Sequence, residues 1–262
     1  YYAEHTVEAE EGFCDFDVAV VRPRGLRRWW HPQVMFSFDD SLPFAPLPAD
    51  QGFPMLEWGM NWCFTHHCHQ YLTLHAAVVE RAGHALILPA PPGSGKSTLC
   101  AGLVFRGWRL LSDELAVIEP STGLIVPVPR PVSLKNQSIG VLRTFAPEAR
   151  FGPVVKETLK GEVAHFAPPV EAVQRSADKP APGWVVLPRY VANAPTTLQP
   201  LPKARALMHL VENAFNFNLH GRSGFERLAA LVDRCGCFEF TYSRLDEAAA
   251  LFARLADGTL SA

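Results

Sequence analysis

Residues 90–97 read Ala-Pro-Pro-Gly-Ser-Gly-Lys-Ser, the small-x-x-x-x-Gly-Lys-Ser/Thr spacing of a phosphate-binding loop, with Ala90 where a glycine is usual. Gly93 and Gly95 let backbone amides turn inward with no Cβ in the way, and Pro92, Ser94 and Thr98 complete the cradle. Lys96 reaches toward outer phosphates, Ser97 can ligate Mg²⁺, and a helix N-terminus directly after the loop faces the negative charge. The chemistry is nucleoside triphosphate binding; the plain alternative is a glycine turn. Asp113-Glu114 ends an apolar strand downstream, where such a protein carries a metal-binding or base carboxylate, although a solvated acidic turn would look the same. His75 precedes the loop on a neighbouring strand and can end near the phosphates or sit as a satisfied core histidine. Transfer of a γ-phosphoryl group spreads negative charge, so further cations must converge on it. Lys135, Lys160, Arg189 and Arg205 are the candidates, each of which could equally be a surface charge.

These residues need elements to hold them. Residues 72–80 and 85–89 are apolar runs of strand length joined by a short turn, which predicts a β-hairpin whose second strand runs into the loop. Residues 99–106 then have helical character, stopped by Gly107. Strands are predicted at 109–112, 115–118, 124–128, 184–187, 196–201 and 237–242, and helices at 203–217, 225–235 and 245–255. Upstream, 13–21 and 33–38 read as strands, the proline-bearing stretch 39–54 as no helix interior, and 55–71 as a helix. Residues 129–182 have little periodicity, which predicts a functional loop region, with short strands or turns and no second core, in the manner of a closing lid. There is no internal repeat.

The 262 residues are 48% hydrophobic and 19% charged, which allows a full core and excludes disorder, collagen-like repeats and a scaffold held by disulfides alone. Twenty-four Lys plus Arg against 26 Asp plus Glu leave a net charge of -2, so no general field draws nucleic acid or an anionic membrane and neither is expected as a partner. Apolar runs fall far short of the roughly 20 residues that span a bilayer, and with no signal-type segment a cytoplasmic protein is expected. The six cysteines do not space as a disulfide framework. Cys63, His66, His67, Cys68 and His69 crowd one helix but lack the second ligand pair of a structural zinc site, and Cys235 and Cys237 read as core or strand-end thiols. The basic-aromatic segment 22–30 reads as a solvated or interface turn. Proline, 23 of 262 or about 9% against a usual ~5%, gathers at 43–54, 89–92, 127–131, 168–182 and 195–202, which predicts stiffened loops around one active site. The chain opens on Tyr1-Tyr2 without an initiator Met, as a fragment of a longer protein would.

The run from Leu74-His75-Ala76, through Gly93-Ser94-Gly95-Lys96-Ser97, to Arg106-Gly107-Trp108-Arg109-Leu110-Leu111-Ser112-Asp113-Glu114 resembles HPr kinase/phosphorylase, whose corresponding motifs follow one another at this spacing. The whole chain resembles still more closely the bacterial HPr-kinase-related kinase A family, through Pro-Arg-Pro-Val-Ser-Leu-Lys-Asn at 129–136, Glu-Thr-x-Lys-Gly-x-Val-Ala-His at 157–165, Pro-Arg-Tyr at 188–190, and Lys-Ala-Arg-Ala with Glu-Asn-Ala-Phe-Asn within 203–216. The resemblance implies an α/β fold: a PEP-carboxykinase-like P-loop core, its mixed β-sheet flanked by helices, over 72–262, and a small N-terminal β/α portion over 1–71. It implies ATP and Mg²⁺ as cofactors and phosphorylation of a hydroxyl, most directly a serine of a small protein or peptide. Asp113 would be the general base, His75 its tuning neighbour, and Glu114 the second acid at the metal, joined there by Asp113 and Ser97. It further implies a PqqD-like peptide chaperone and a nucleotidyltransferase-like protein as partners, and a homo-oligomer. Ala76 for glycine, Trp108 for histidine and Glu114 for aspartate depart from the HPr kinase pattern, and the phosphorylase's later loop signature is not evident, so kinase activity is favoured over phosphorolysis. A small-metabolite kinase and an ATP-binding regulatory module without turnover are the alternatives.

Overall fold

In the computed structural model, which describes residues 1–7, 12–25 and 29–259, alternation of Val34 and Phe36 with half-buried neighbours builds a three-stranded antiparallel sheet. Its strands are β1 (Val18–Val21), β2 (Gln33–Phe38) and β3 (Leu47–Pro48). The expected strand from residue 13 is confined to its last four residues. Helix α1 (Gly52–His67) packs on this sheet through Met55 and Cys63. It starts three residues earlier than expected because Pro54 lies in its first turn, where a missing N–H has no intrahelical partner to lose. Leu26, Arg27 and Arg28 of the basic-aromatic segment lie outside the described residues, while Trp29 and Trp30 are exposed.

The chain continues through β4 (Leu72–Arg81), β5 (His84–Pro89), α2 (Lys96–Val104), β6 (Arg109–Ser112), β7 (Leu115–Ile118) and β8 (Ile125–Val126). Then come β9 (Val132–Lys135), α3 (Gln137–Phe145), β10 (Val155–Thr158), β11 (Gly161–Phe166), α4 (Val170–Gln174) and β12 (Ala181–Tyr190). It closes with β13 (Thr197–Pro200), α5 (Lys203–Glu212), α6 (Phe217–Arg234, interrupted at Gly221 with φ 52°), β14 (Gly236–Tyr242) and α7 (Leu245–Ala256). The chain is thus a mixed α/β structure around an eight-stranded sheet of order β13-β14-β12-β5-β4-β7-β8, with β6 also on β4. The pairs β14–β12 and β12–β5 are parallel; the other pairs are antiparallel.

The strands are apolar on both faces, as a sheet covered on both sides requires. Along β4 and β5 the residues Ala77, Val79, Leu86 and Leu88 pack toward α2, α3 and α7, whereas Ala76, Val78, Ala85 and Ile87 pack toward α5 and α6. Residues 129–182 are more regular than the expected loop region, but, as expected, they hold short strands and add no second core. They form a second three-stranded sheet, β10-β11-β9, whose Val132, Leu134, Ala164 and Phe166 join the core around α2. Its weak periodicity follows from short strands, two of which, β9 and β11, are enclosed on both faces, Ser133 and His165 as well as Leu134 and Ala164, so no polar–apolar alternation marks them. At the far edge of the main sheet, the buried Arg109 pairs with Glu80 at 2.7 Å and donates to the carbonyls of Arg175 and Asp178, tying down the end of this region. Among the described residues no helix is long and apolar enough to cross a membrane. None of the six cysteines is in a disulfide.

The N-terminal portion docks on the second sheet. Phe53 of α1 meets the His165 ring edge-on at 5.0 Å, Tyr1 stacks on Phe53, and Gln51 donates to the carbonyl of Glu157 at 3.1 Å. Burial, reinforced by the charge of Lys135, pushes His165 down to about 4, so it is neutral in the folded chain and takes up a proton near pH 6.5 only when unfolded. The unfolded state therefore binds more protons between these values, and stability falls as pH falls through this window. His165 is expected to account for about 2 kcal/mol of stability lost between pH 7 and pH 5. Urea denaturation of wild type and His165→Phe at both pH values checks this; parallel losses in the two proteins refute it.

Candidate functional site

The carboxyl ends of the three parallel strands converge where the loop after β5 turns into α2. Ser94 donates to the carbonyl of Pro91 at 3.3 Å across Pro92-Gly93, with Gly93 at φ 86°, the arrangement of a turn with proline second and glycine third. Gly95 caps α2 at φ 90°. Its carbonyl accepts from the Tyr242 hydroxyl at 2.9 Å, and the Ser94 carbonyl accepts from the Tyr190 amide at 3.0 Å. The ends of β12 and β14 thus hold the loop. A Cβ on Gly95 would lie 2.6 Å from the Tyr242 hydroxyl and 3.0 Å from Tyr190 Cβ, whereas one on Gly93 would meet nothing within 4 Å.

Lys96, the first residue of α2, is only 6% exposed. Its ammonium donates to His75 Nε2 at 2.8 Å, and the same ring nitrogen lies 3.3 Å from Glu114 Oε2. One nitrogen cannot serve both at once. Unprotonated, Nε2 accepts from Lys96; carrying hydrogen, it donates to Glu114. The other oxygen of Glu114 faces the Lys135 ammonium at 3.7 Å. Burial pulls the Lys96 pKa below the usual lysine range, with Glu114 and Asp113 opposing it.

The two acids follow directly on β6, at the strand end expected of them. Strands β6 and β7 line the same edge of β4, and Asp113-Glu114 is the interruption between them, where the Ala76 amide still donates to the Glu114 carbonyl at 3.2 Å. This break lets two adjacent acids face one cluster instead of opposite sides of the sheet. Asp113 accepts from the Ser133 amide at 3.3 Å, leaving Oδ1 buried without a hydrogen-bond partner among the described residues. Burial, then repulsion from Glu114, raises Asp113 to about 6. Burial works against ionised Glu114 too, but the His75 hydrogen bond and the Lys96 and Lys135 charges outweigh it and hold its carboxyl low.

Lys160 lies over the Trp58 ring at 4.9 Å, its pKa lowered by burial and then by Lys135, so it neighbours the cluster. Arg189 is exposed at the end of β12, directly before the residue that binds the loop. Arg205 is not brought to the cluster: it pairs with Glu239 at 3.3 Å on the exposed side of α5. Cys63 is buried beneath the N-terminal sheet and His67 stacks on Phe38 at 4.6 Å; no group of three or more metal-ligating His, Cys, Asp or Glu side chains forms among the described residues. The Ser97 hydroxyl and the carboxylates of Asp113 and Glu114 are hard oxygen donors. With the unpartnered Asp113 Oδ1 they fit Mg²⁺ carried in by phosphates better than a caged metal.

Sequence reasoning misses two groups of residues here. Asn216 accepts from the Thr73 amide at 3.0 Å and donates to the Tyr71 carbonyl, while the Asn213 carbonyl takes the His75 amide at 2.7 Å, so this segment fixes the histidine strand. Glu57, Trp58, Asn61 and Arg130 line a pocket beside the acids. Asparagine beside an apolar strand and a charge inside an apolar helix were the available signals, but neither names a partner.

No family model matches the chain, and no curated protein matches it. Among solved structures it is similar to the "Hpr(Ser) kinase/phosphatase from Coxiella burnetii", at 11% identity and a TM-score of 0.31, with 71% of this chain and 98% of that chain covered. Likeness at that level assigns no activity.

The two loop glycines should respond differently to alanine. Gly93→Ala carries only positive-φ strain, about 1–2 kcal/mol, whereas Gly95→Ala adds the collision with Tyr242 and Tyr190. The nucleotide affinity expected from the loop's sequence, measured by calorimetry, should fall several-fold for Gly93→Ala and by a much larger factor for Gly95→Ala. Equal losses would contradict this account.

Proposed function

We propose that this chain is a kinase that transfers the γ-phosphoryl group of ATP to a hydroxyl, most directly a serine hydroxyl. The observation that supports it best is the convergence of Lys96, His75, Glu114, Lys135 and the buried Asp113 at the mouth of a strand-loop-helix phosphate cradle. Ser97, with Asp113 and Glu114, would hold Mg²⁺, which when bound neutralises charge on the outer phosphates.

The chain's own groups divide the remaining work. Loop amides from Gly93 onward and the N-terminus of α2 bind phosphate oxygens, and Lys96 turns from His75 to the outer phosphates. His75 Nε2, released by Lys96, donates to Glu114 and holds that carboxylate in place. Lys135, with Lys160 beside it, offsets the charge that spreads over the transferring group. Asp113 takes the acceptor proton as the hydroxyl attacks, the part a carboxylate beside the outer phosphates can play. Lys96→Ala is expected to slow transfer by about 10²–10³, and Asp113→Asn by about 10²–10⁴ with nucleotide still bound. The check is ATP labelled at the γ-phosphate, incubated with cell extract and separated into macromolecular and small-molecule fractions. Label in the first marks a protein or peptide acceptor and label in the second a metabolite. ATP binding with no labelled product from wild type in either fraction overturns the kinase reading in favour of a regulatory module.

A further inference from the structure

The sheet order gives the loop two unlike flanks. On one side of β5 stand β4, with His75, and the break between β6 and β7 that carries Asp113 and Glu114; on the other side stand β12 and β14. Lys96 leans to the first flank, its ammonium 2.8 Å from His75 Nε2. Outer phosphates belong beside that ammonium and the acids that would hold their metal. A nucleoside triphosphate is a linear chain, so with its γ end there its nucleoside end projects across the loop toward β12, one strand spacing of about 4.8 Å beyond β5. Tyr190 stands at that place. Alternation along β12 puts Val186 in the core beneath α2 and Val185 and Leu187 against α5 and α6, so Tyr190 rises on the α2 face. Its amide donates to the Ser94 carbonyl at 3.0 Å, and its Cβ is 3.0 Å from where a Cβ on Gly95 would lie. Its ring meets Tyr242 edge to face at 5.7 Å, and the Tyr242 hydroxyl donates to the Gly95 carbonyl at 2.9 Å. A residue tied so closely to the loop still leaves 53% of its surface in solvent. Phe215, also exposed, lies 5.9 Å from the His75 ring, on the flank of the acids and away from where a base would fall.

We propose that Tyr190 is the stacking platform for the nucleobase and gives the site a preference for purine nucleoside triphosphates. The inference rests on the nucleotide-binding half of the kinase reading and goes beyond it by saying where the base lies and what selects it. A phenol ring offers the base a flat π face and brings no charge that would compete for the phosphates. Stacking grows with the area of overlap, so the double ring of a purine gains more than a pyrimidine, and covering the exposed ring removes apolar surface from water. Little order has to be imposed on binding, because the backbone of Tyr190 is bonded to the loop and one side of its ring already rests on Tyr242. Tyr242 is 1% exposed and serves as the brace rather than the platform. Through the Ser94 and Gly95 carbonyls the two tyrosines tie platform and phosphate cradle into one body, which fixes the separation at which base and phosphates are held. A stacked ring reads the face of the base and not its edge, so Tyr190 adds affinity for adenine and guanine alike.

Calorimetry on the whole chain, with Mg²⁺ and without an acceptor, compares ATP, UTP and inorganic tripolyphosphate. Tyr190→Ala is expected to weaken ATP binding about fivefold or more, while tripolyphosphate, which has no base to stack, changes by less than about twofold. Tyr190→Phe, which keeps the ring, should match wild type with all three ligands. UTP should bind wild type more weakly than ATP and lose less when the ring is removed. If Tyr190→Ala does not fold, Tyr190→Leu, which keeps apolar bulk without a π face, is read the same way. An unchanged ATP affinity, a parallel loss of ATP and tripolyphosphate, or UTP bound as tightly as ATP overturns the proposal; the parallel loss would mean that the ring only braces the loop. If neither ATP nor tripolyphosphate binds wild type, the nucleotide reading fails and this proposal with it. The expected pattern without labelled product from ATP sinks the kinase reading and leaves the platform standing. Label transfer with ATP affinity unaltered in Tyr190→Ala does the reverse.

Discussion

Burying the Lys96 ammonium requires counter-charge within a few ångströms, and much of the layout around the loop follows from supplying it. An ammonium taken out of water loses several kcal/mol of solvation unless opposite charge and hydrogen bonds replace it. Here Glu114 and Asp113 provide the charge and His75 the hydrogen-bond acceptor. The acids can do so only because the strand facing β4 is broken at their position. A regular strand would send adjacent side chains to opposite faces, and one carboxylate would be lost to the far side of the sheet.

The same constraint separates the two acids in character. Glu114 sits between His75 and Lys135 and stays ionised, whereas Asp113 is more deeply enclosed, has the weaker claim on the cations, and is held by the Ser133 amide with one oxygen unpaired. Two neighbouring carboxyls pushed in opposite directions make one a fixed charge and the other a proton acceptor. The cations come from separate layers: Lys96 from α2, Lys135 from β9, and Lys160 from the turn between β10 and β11, leaning on Trp58 of α1. The second sheet and the N-terminal portion are therefore parts of the site's electrostatics and not appendages to the core.

The central layout was legible where the sequence pattern is local. The β4–β5 hairpin, the loop and α2 follow from two apolar runs, a glycine-rich turn and a lysine at a helix start, each set by neighbouring residues. Residues 129–182 were less legible because such short strands give few repeats from which to read a period. Arg205 was a reasonable cation candidate by type, but its position on α5 gives it to Glu239, a contact made between elements far apart in the chain. Arg130 stood in a proline-flanked run with no sign that α1 would meet it, so the pocket beside Asp113 was invisible.

By itself the sequence determined the glycine loop and the helix start after β5, because glycines at positive φ, a following helix N-terminus and a lysine at its first turn are consequences of adjacent residues. It also determined an α/β chain with strands apolar on both faces, since that is set by composition along each run. Only the tertiary structure decided which charges share the site. That depends on a strand break opposite β4, on the docking of β9 and β11 over α2, and on α1 reaching across to Arg130. Charges act through space over a few ångströms, and no spacing along the chain records which distant residues come that close.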